Sequence, residues 1–251
     1  MAATLTCGRR FALACTLLAM SGCGNGLPDW LIPNHNQAPA GGKTTMLTFN
    51  TPSMPFDDPA KNEPSGFAPG HWVIAGDKLQ QTVGASDNLA NQLRYVGDAF
   101  NSKDGRSGAV YSVSVDCSVS KDADSPAIQG YPTGVMALMP YYQDPTHYVL
   151  LAAAGQDLSC WVVNGYRPAG AEWPKNAEIW DEWLSRPLDA SASIRWGADI
   201  DTDNHTIRIL VNDQPKVTRS VSMITDSPHW VALGANGNYA QFTNFKIVWT
   251  K

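Results

Sequence analysis

The most informative segment of the sequence for the fold class is Thr133–Val163, TGVMALMPYYQDPTHYVLLAAAGQDLSCWVV. Its apolar residues form three short runs, Thr133–Pro140, His147–Ala154 and Leu158–Val163, with a turn-like segment between each pair. Runs of this length between turns are typical of β-strands. The middle run is apolar at nearly every position, as in a strand that is covered on both faces. The stretch therefore predicts three successive strands at the centre of a sheet.

Period-two alternation predicts further strands on both sides of this stretch. In Ala109–Val119 nearly every second residue is apolar and most of the others are serine or aspartate, which indicates one buried face. Similar alternation occurs in Ala190–Ile200 and Phe242–Trp249. About a dozen such strands predict an all-β fold, an antiparallel two-sheet β-sandwich of the jelly-roll type. We expect its first and last strands to pair.

One segment is expected to be helical. In Asn176–Ser185, Ile179 and Trp183 are four residues apart, as are Glu178 and Glu182. Residues at this spacing share one face of an α-helix. The sequence therefore predicts a short helical insertion in the sandwich.

The first residues have the features of an export signal. Arg9 and Arg10 precede the apolar run Phe11–Met20, which is too short to span a bilayer. Met20-Ser21-Gly22-Cys23 resembles the lipobox of bacterial lipoproteins, which implies cleavage before Cys23 and lipid attachment to it. The alternative is an ordinary secretory signal that ends near a cysteine.

The predicted organisation is a signal peptide at 1–22, a flexible tether at 23–43 and one sandwich domain at 44–251. The expected location is the bacterial cell envelope, facing the periplasm or the cell surface. Gly24 and Asn25 follow the lipid-bearing cysteine. Neither is the aspartate associated with retention in the inner membrane, so the outer membrane is preferred.

The charge balance excludes some partners. Loss of the two signal-peptide arginines leaves 16 basic against 23 acidic side chains, a net charge of −7. An acidic domain without basic clusters argues against nucleic acid and against anionic lipid surfaces. Contact with a membrane is therefore expected only through the lipid anchor.

Two cysteines remain in the predicted domain, Cys117 and Cys160. Both lie in predicted strands, and an exported protein folds in an oxidising compartment. A disulfide between them is expected, and two buried free thiols are the alternative.

The order of short motifs from Leu47 onward resembles that of the concanavalin A-like lectin/glucanase superfamily. It is most similar to the secreted bacterial branch with laminin-G-like and 3-keto-disaccharide-hydrolase-like domains. The resemblance implies a sandwich with a concave sheet face that often binds glycans, and it does not transfer catalysis. The motifs are Phe49-Asn50, Gly66-Phe67-Ala-Pro-Gly-His-Trp72, Gly76-Asp77-Lys-Leu79-Gln80, Gly134-Val-Met136, Tyr148-Val149-Leu150, Ile207-Arg-Ile-Leu-Val211-Asn212 and Phe242-Thr-Asn244-Phe245-Lys-Ile247.

Aromatic and polar side chains suggest a carbohydrate ligand. Sugar rings stack their C–H faces on flat aromatics, and polar side chains bind the hydroxyls. Packing in the core is the alternative for each aromatic residue. Trp161 is the best marker of a binding face, because alternation places it opposite to Cys160. The candidate ligand-binding residues are Tyr142, Tyr148, Trp161, Trp180, Asp181, Trp183 and Arg195.

Catalysis is the alternative to binding alone. Glycoside hydrolysis requires two carboxylates at a controlled separation, and Glu178 and Glu182 are the candidates. A regular strand would place these two together and turn Asp181 away. The spacing differs from the acidic motif of the superfamily's glucanases, so the leading interpretation is non-catalytic glycan recognition. A glycoside hydrolase, or a structural or protein-binding envelope module, remains open.

No cofactor and no metal ligand set is expected. Asp199-Ile-Asp201-Thr-Asp203-Asn204 lacks the glycine and glutamate of a calcium loop and is interpreted as a polar turn. Structural calcium at Asp57 and Asp58 rests only on analogy with the superfamily.

Overall fold

The computed structural model describes residues 43–47, 49, 55–57, 72–81, 91–97, 100, 105, 110–119, 135–165, 177–186, 188, 192–236 and 240–249. The expected signal peptide, the lipid-bearing Cys23, nearly all of the tether, and Asp58 lie outside these residues. The described part of the chain contains no helix long and apolar enough to cross a bilayer.

Every regular element among the described residues is a β-strand. The strands are β1 (Lys43–Leu47), β2 (Phe56–Asp57), β3 (Trp72–Ala75), β4 (Lys78–Gln81), β5 (Asn91–Tyr95), β6 (Val110–Val119), β7 (Val135–Asp144), β8 (His147–Ala154), β9 (Asp157–Asn164), β10 (Glu178–Trp183), β11 (Ile194–Asp201), β12 (Thr206–Val211), β13 (Gln214–Ser220), β14 (Trp230–Asn236) and β15 (Ala240–Trp249).

The strands form two sheets. The eight-stranded sheet has the order β13-β12-β11-β6-β15-β4-β3, with β1 also paired to β15, and the seven-stranded sheet has the order β10-β9-β8-β7-β14-β5-β2. All the pairings are antiparallel, and Lys43 of the first strand is opposite Trp249 of the last. The predicted all-β, two-sheet sandwich and the pairing of its end strands are confirmed.

The core lies between the two sheets and follows the predicted alternation. In β6, Tyr111, Val113, Val115 and Cys117 are fully buried, and the Tyr111 hydroxyl donates a hydrogen bond to the carbonyl of Pro140 on β7 at 2.6 Å. This bond and the surrounding packing fix β6 against β7. In β7 and β8 almost every side chain is buried, as expected for central strands that are covered on both faces.

The register of the seven-stranded sheet separates its two faces. Directly paired residues point to the same side of a sheet. One row of paired residues faces the core and consists of Leu93, Leu233, Leu138, Leu151 and Cys160. The next row therefore points away from the eight-stranded sheet, and we call that side of the seven-stranded sheet the outward face.

The predicted helical insertion is wrong. Residues Glu178–Trp183 form β10, which pairs with β9 at one edge of the seven-stranded sheet. Pairing satisfies the backbone groups of β9 and lets Ile179 and Trp180 pack on the core. Aromatic and β-branched residues suit such a surface, so this tertiary contact outweighs the four-residue spacing.

The predicted Cys117–Cys160 disulfide is also wrong, because both cysteines are free and fully buried. Cys117 lies on β6, which packs on β7, whereas Cys160 lies on β9, separated from β7 by β8. Two strand spacings correspond to roughly 10 Å, and a disulfide requires Cα atoms within about 7 Å. The two side chains fill the core in different places.

We predict that both thiols are unreactive in the folded protein. Burial raises the pKa of each thiol well above its usual range, and a thiol rather than a thiolate is a poor nucleophile. Alkylation without reductant should label neither residue in native buffer and both in denaturant, as measured by peptide mass spectrometry. A 117–160 linked peptide in a non-reduced digest would contradict this structure.

Candidate functional site

A strip of small side chains crosses the outward face. The strip is one row of cross-strand neighbours, with one residue from each of six adjacent strands. The middle members of this row are glycine and alanine. Polar residues stand at both ends of the row. Its members, in spatial order, are Gln92, Gly234, Ala137, Ala152, Ser159 and Asp181.

Two predicted ligand residues, Tyr142 and Tyr148, also lie on the outward face, in a row that begins at Trp230. Their rings are stacked with centroids 6.1 Å apart. The Tyr142 hydroxyl donates to Oε1 of Gln92 at 2.9 Å. Both tyrosines are buried, so the structure gives them a packing role and a ligand role stays a prediction.

The outward face is open at its β9–β10 end. Trp161 is partly exposed there, and Trp183 is 69% exposed. The Trp161 Nε1–H group donates to Ser159 Oγ at 2.9 Å, and this bond fixes the orientation of the indole. Trp183 is opposite Asp157, and Ser159 is opposite Asp181. The two tryptophans therefore bracket a polar centre.

A β-bulge in β10 decides which acidic residues belong to this site. Glu178 is opposite Trp161, but Trp180 is opposite Cys160, so the register shifts between them. An extra residue in one strand reverses the alternation beyond it. Glu178 and Asp181 consequently share the outward face. The expectation that a strand would align Glu178 with Glu182 and turn Asp181 away is wrong.

The acidic residues at this end repel one another. Burial raises the pKa of Glu178, and the charges of Asp157 and Asp181 add to the effect. Burial, followed by the charge of Asp181, likewise raises the pKa of Asp157. Among the residues that the structure describes, no cation pairs with any of these three carboxylates.

Two candidate residues on β10 point to the other side. Trp180 packs edge-on against Trp196 of the eight-stranded sheet, with ring centroids 6.4 Å apart. Glu182 accepts a hydrogen bond from Lys216 Nζ of β13 at 2.8 Å. Arg219 of β13 donates to the carbonyl of Ile179 at 2.9 Å. These contacts close the sandwich edge, so Trp180 and Glu182 lie away from the site.

Arg195 lies on the opposite side of the molecule. It is on β11, and its Nη2 donates to Asp116 of β6 at 2.9 Å. Asp213 contacts its Nη1 at 3.2 Å, and Asn244 donates to the same Asp116 at 2.6 Å. Arg195 therefore belongs to a structural network on the outside of the eight-stranded sheet and does not join the aromatic residues.

The described residues suggested for calcium are engaged in contacts within the protein, and structural calcium stays a prediction by analogy. Both oxygens of Asp57 accept hydrogen bonds from Arg94, at 2.9 and 2.6 Å, and the guanidinium group lies 4.4 Å from the Trp230 ring centroid. A cation already occupies this carboxylate. Asp201 holds its own turn through the backbone and side chain of Asn204. No group of three His, Cys, Asp or Glu in the described ranges could hold a metal ion.

Sequence reasoning missed Asp157, which it assigned to a turn. Asp157, Ser159 and Trp161 alternate along β9 and share the outward face. Extending the alternation by one step beyond Leu158 would have found the carboxylate. The bulge in β10 has no comparable signal in the residue pattern.

No protein-family model and no curated protein matches the chain. Several solved structures, however, match the chain. An endo-1,3-β-glucanase from Streptomyces sioyaensis matches with a TM-score of 0.56 at 12% identity, over 85% of this chain and 98% of its own. A non-specific endo-β-1,3(4)-glucanase of family GH16 has a TM-score of 0.53 at 11% identity, over 86% of this chain and 94% of its own.

Peanut lectin also matches, with a TM-score of 0.53 at 11% identity, over 83% of this chain and 97% of its own. At such identities the likeness concerns the arrangement of the strands. Together with the two antiparallel sheets, it shows that the chain has the fold of the concanavalin A-like lectin/glucanase superfamily.

Proposed function

We propose that this protein is a non-catalytic glycan-binding protein, and that the glycan binds at the open β9–β10 end of the outward face. The observation that carries the proposal is the combination of Trp161 and Trp183 with three carboxylates on one side of a sheet. Trp183 is 69% exposed, so its ring is accessible to a ligand.

The chemistry of the surface suits a saccharide. An indole ring offers a flat apolar surface for the C–H face of a sugar ring. Asp157, Glu178 and Asp181 offer acceptors for sugar hydroxyl groups. Paired strands hold all these side chains in fixed positions, which lowers the entropic cost of binding. A lectin and two glucanases with the same fold show that the scaffold is compatible with saccharide ligands.

We predict that Trp161→Ala weakens glycan binding without unfolding the protein. Loss of one stacking contact of about 1 kcal/mol corresponds to roughly a fivefold rise in Kd. Binding to a panel of oligosaccharides would be measured by calorimetry.

Trp180→Ala is the matched control, since this tryptophan lies on the same pair of strands but faces the core. It should lower the melting temperature and leave the affinity of the folded protein nearly unchanged. A panel without any ligand, or equal binding by Trp161→Ala and the unsubstituted protein, would refute the proposal.

One observation favours a hydrolase as the second candidate. Glu178 has a raised pKa, as a general acid requires, and it shares a face with the exposed Asp181. A hydrolase would release reducing sugar from a bound glycan, and Glu178→Gln would abolish the release while binding remained. Binding of an intact glycan without product supports recognition alone. A partner protein recovered by crosslinking and not displaced by sugars would instead indicate a protein-binding module.

We predict that Glu178→Gln stabilises the protein near neutral pH. The raised pKa means that the folded state disfavours the ionised carboxylate, so stability is lower above the folded pKa and recovers as pH falls through it. The neutral variant should gain a few tenths of a kcal/mol near pH 7 and nothing near pH 3, as measured by urea unfolding.

Glu182→Gln removes the same charge from the same strand and is the control. It breaks the ion pair with Lys216, so it should not stabilise. A Glu178→Gln variant that is less stable near pH 7 than the unsubstituted protein would show that the three carboxylates do not repel one another.

We also propose that the protein is anchored in the bacterial envelope through a lipid on Cys23. The support is the lipobox-like sequence Met20–Cys23 after an apolar run. Cys23→Ser should move the protein from the membrane fraction to the soluble fraction on immunoblots. Cys15→Ser, inside the expected signal peptide, should not. An unsubstituted protein recovered only in the soluble fraction would refute the anchor.

A further inference from the structure

The charged side chains that β9 and β10 place on the open end of the outward face are all acidic. Asp157, Glu178 and Asp181 supply three carboxylates there. Two cations of the facing strand β13 make other contacts, because Lys216 pairs with Glu182 and Arg219 donates to the carbonyl of Ile179. On the outer side of the eight-stranded sheet, by contrast, Arg195 pairs with Asp116 and Arg208 pairs with Asp199. No described ion pair compensates the three carboxylates of this patch.

Each of the two tryptophans has a carboxylate directly opposite it on the neighbouring strand. Glu178 stands beside Trp161 and Asp157 beside Trp183, with Asp181 and Ser159 between the two pairs. Strand spacings put the tryptophan Cα atoms roughly 14 Å apart. Each aromatic residue therefore has a carboxylate as its cross-strand neighbour, so one ligand group can contact a ring and a carboxylate together.

We infer that the glycan bound here carries cationic amino groups, as in a polymer of 2-amino-2-deoxy sugars with free amines. The inference rests on the proposed function and names the chemical class of its ligand. An ammonium group beside the sugar ring forms charge-assisted hydrogen bonds with a carboxylate. It also interacts favourably with the face of an indole. Both partners are present in each half of the site.

Charge complementarity favours this class over the others. A neutral glycan leaves the mutual repulsion of the carboxylates in place, and a uronic acid or sulfated glycan adds to it. Burial is the main cause of the raised pKa values of Glu178 and Asp157, and the repulsion between neighbouring carboxylates adds to it. A bare metal ion does not fit, since no group of acidic side chains in the described ranges could hold one. Spread carboxylates suit a ligand with several separated charges.

The test compares β-1,4-linked oligosaccharides of equal length that differ only at C2, with a free amine, an N-acetyl group or a hydroxyl. Calorimetry with the purified full chain near pH 6 keeps amines and most carboxylates charged. We expect the amine form to bind about tenfold or more tightly than the hydroxyl form, and the difference to shrink as salt increases. We expect Trp161→Ala to weaken binding of both forms.

Charge variants separate this site from general attraction to an acidic protein. Glu178→Gln with Asp181→Asn should abolish the advantage of the amine form, and the matched control Glu182→Gln should retain it. Equal binding of the amine and hydroxyl forms, or an equal loss of the advantage in Glu182→Gln, would overturn the inference while the proposed glycan binding stands. If no oligosaccharide bound in a way that depends on Trp161, the proposed function would fail as well.

Discussion

The structure depends on the burial of alternate side chains between two antiparallel sheets. Each strand gives one row of residues to this core, and the Tyr111–Pro140 hydrogen bond ties the two central strands together across it. Because side chains alternate with a period of two, fixing the inward row also fixes the outward row. The outward face is therefore a consequence of core packing, and the positions of Ser159 and Trp161 follow from that of Cys160.

A single register shift changes this rule at the edge of the seven-stranded sheet. The bulge in β10 keeps Trp180 on the core while it turns Glu178 and Asp181 outward together. One inserted residue thereby joins two carboxylates to Asp157 on the neighbouring strand. Bulges at sheet edges re-aim side chains in this way, at the cost of one unpaired position in the ladder.

The two outer sides of the sandwich differ in whether their acidic side chains have cationic partners. On the eight-stranded sheet, Asp199 is almost fully buried but is bound by Ser112 and Arg208, so its charge is compensated within the protein. At the open end of the outward face the carboxylates have no such partners among the described residues, and burial together with mutual repulsion raises the pKa values of Glu178 and Asp157. A protein retains uncompensated charge of this kind at a cost in stability, which is why we assign function to that surface.

The two-sheet class, the strands β7, β8 and β9, and the outward placement of Trp161 could be predicted from the residues alone, because they follow from local alternation. The other features depend on contacts between distant parts of the chain. The strand state of Glu178–Trp183 depends on the free edge of β9, and the separation of Cys117 from Cys160 depends on which strands face each other. The grouping of Asp157 with Glu178 and Asp181, like the separation of Arg195 from them, depends on register and sheet assignment. These quantities arise from long-range pairing, which a local residue pattern does not encode.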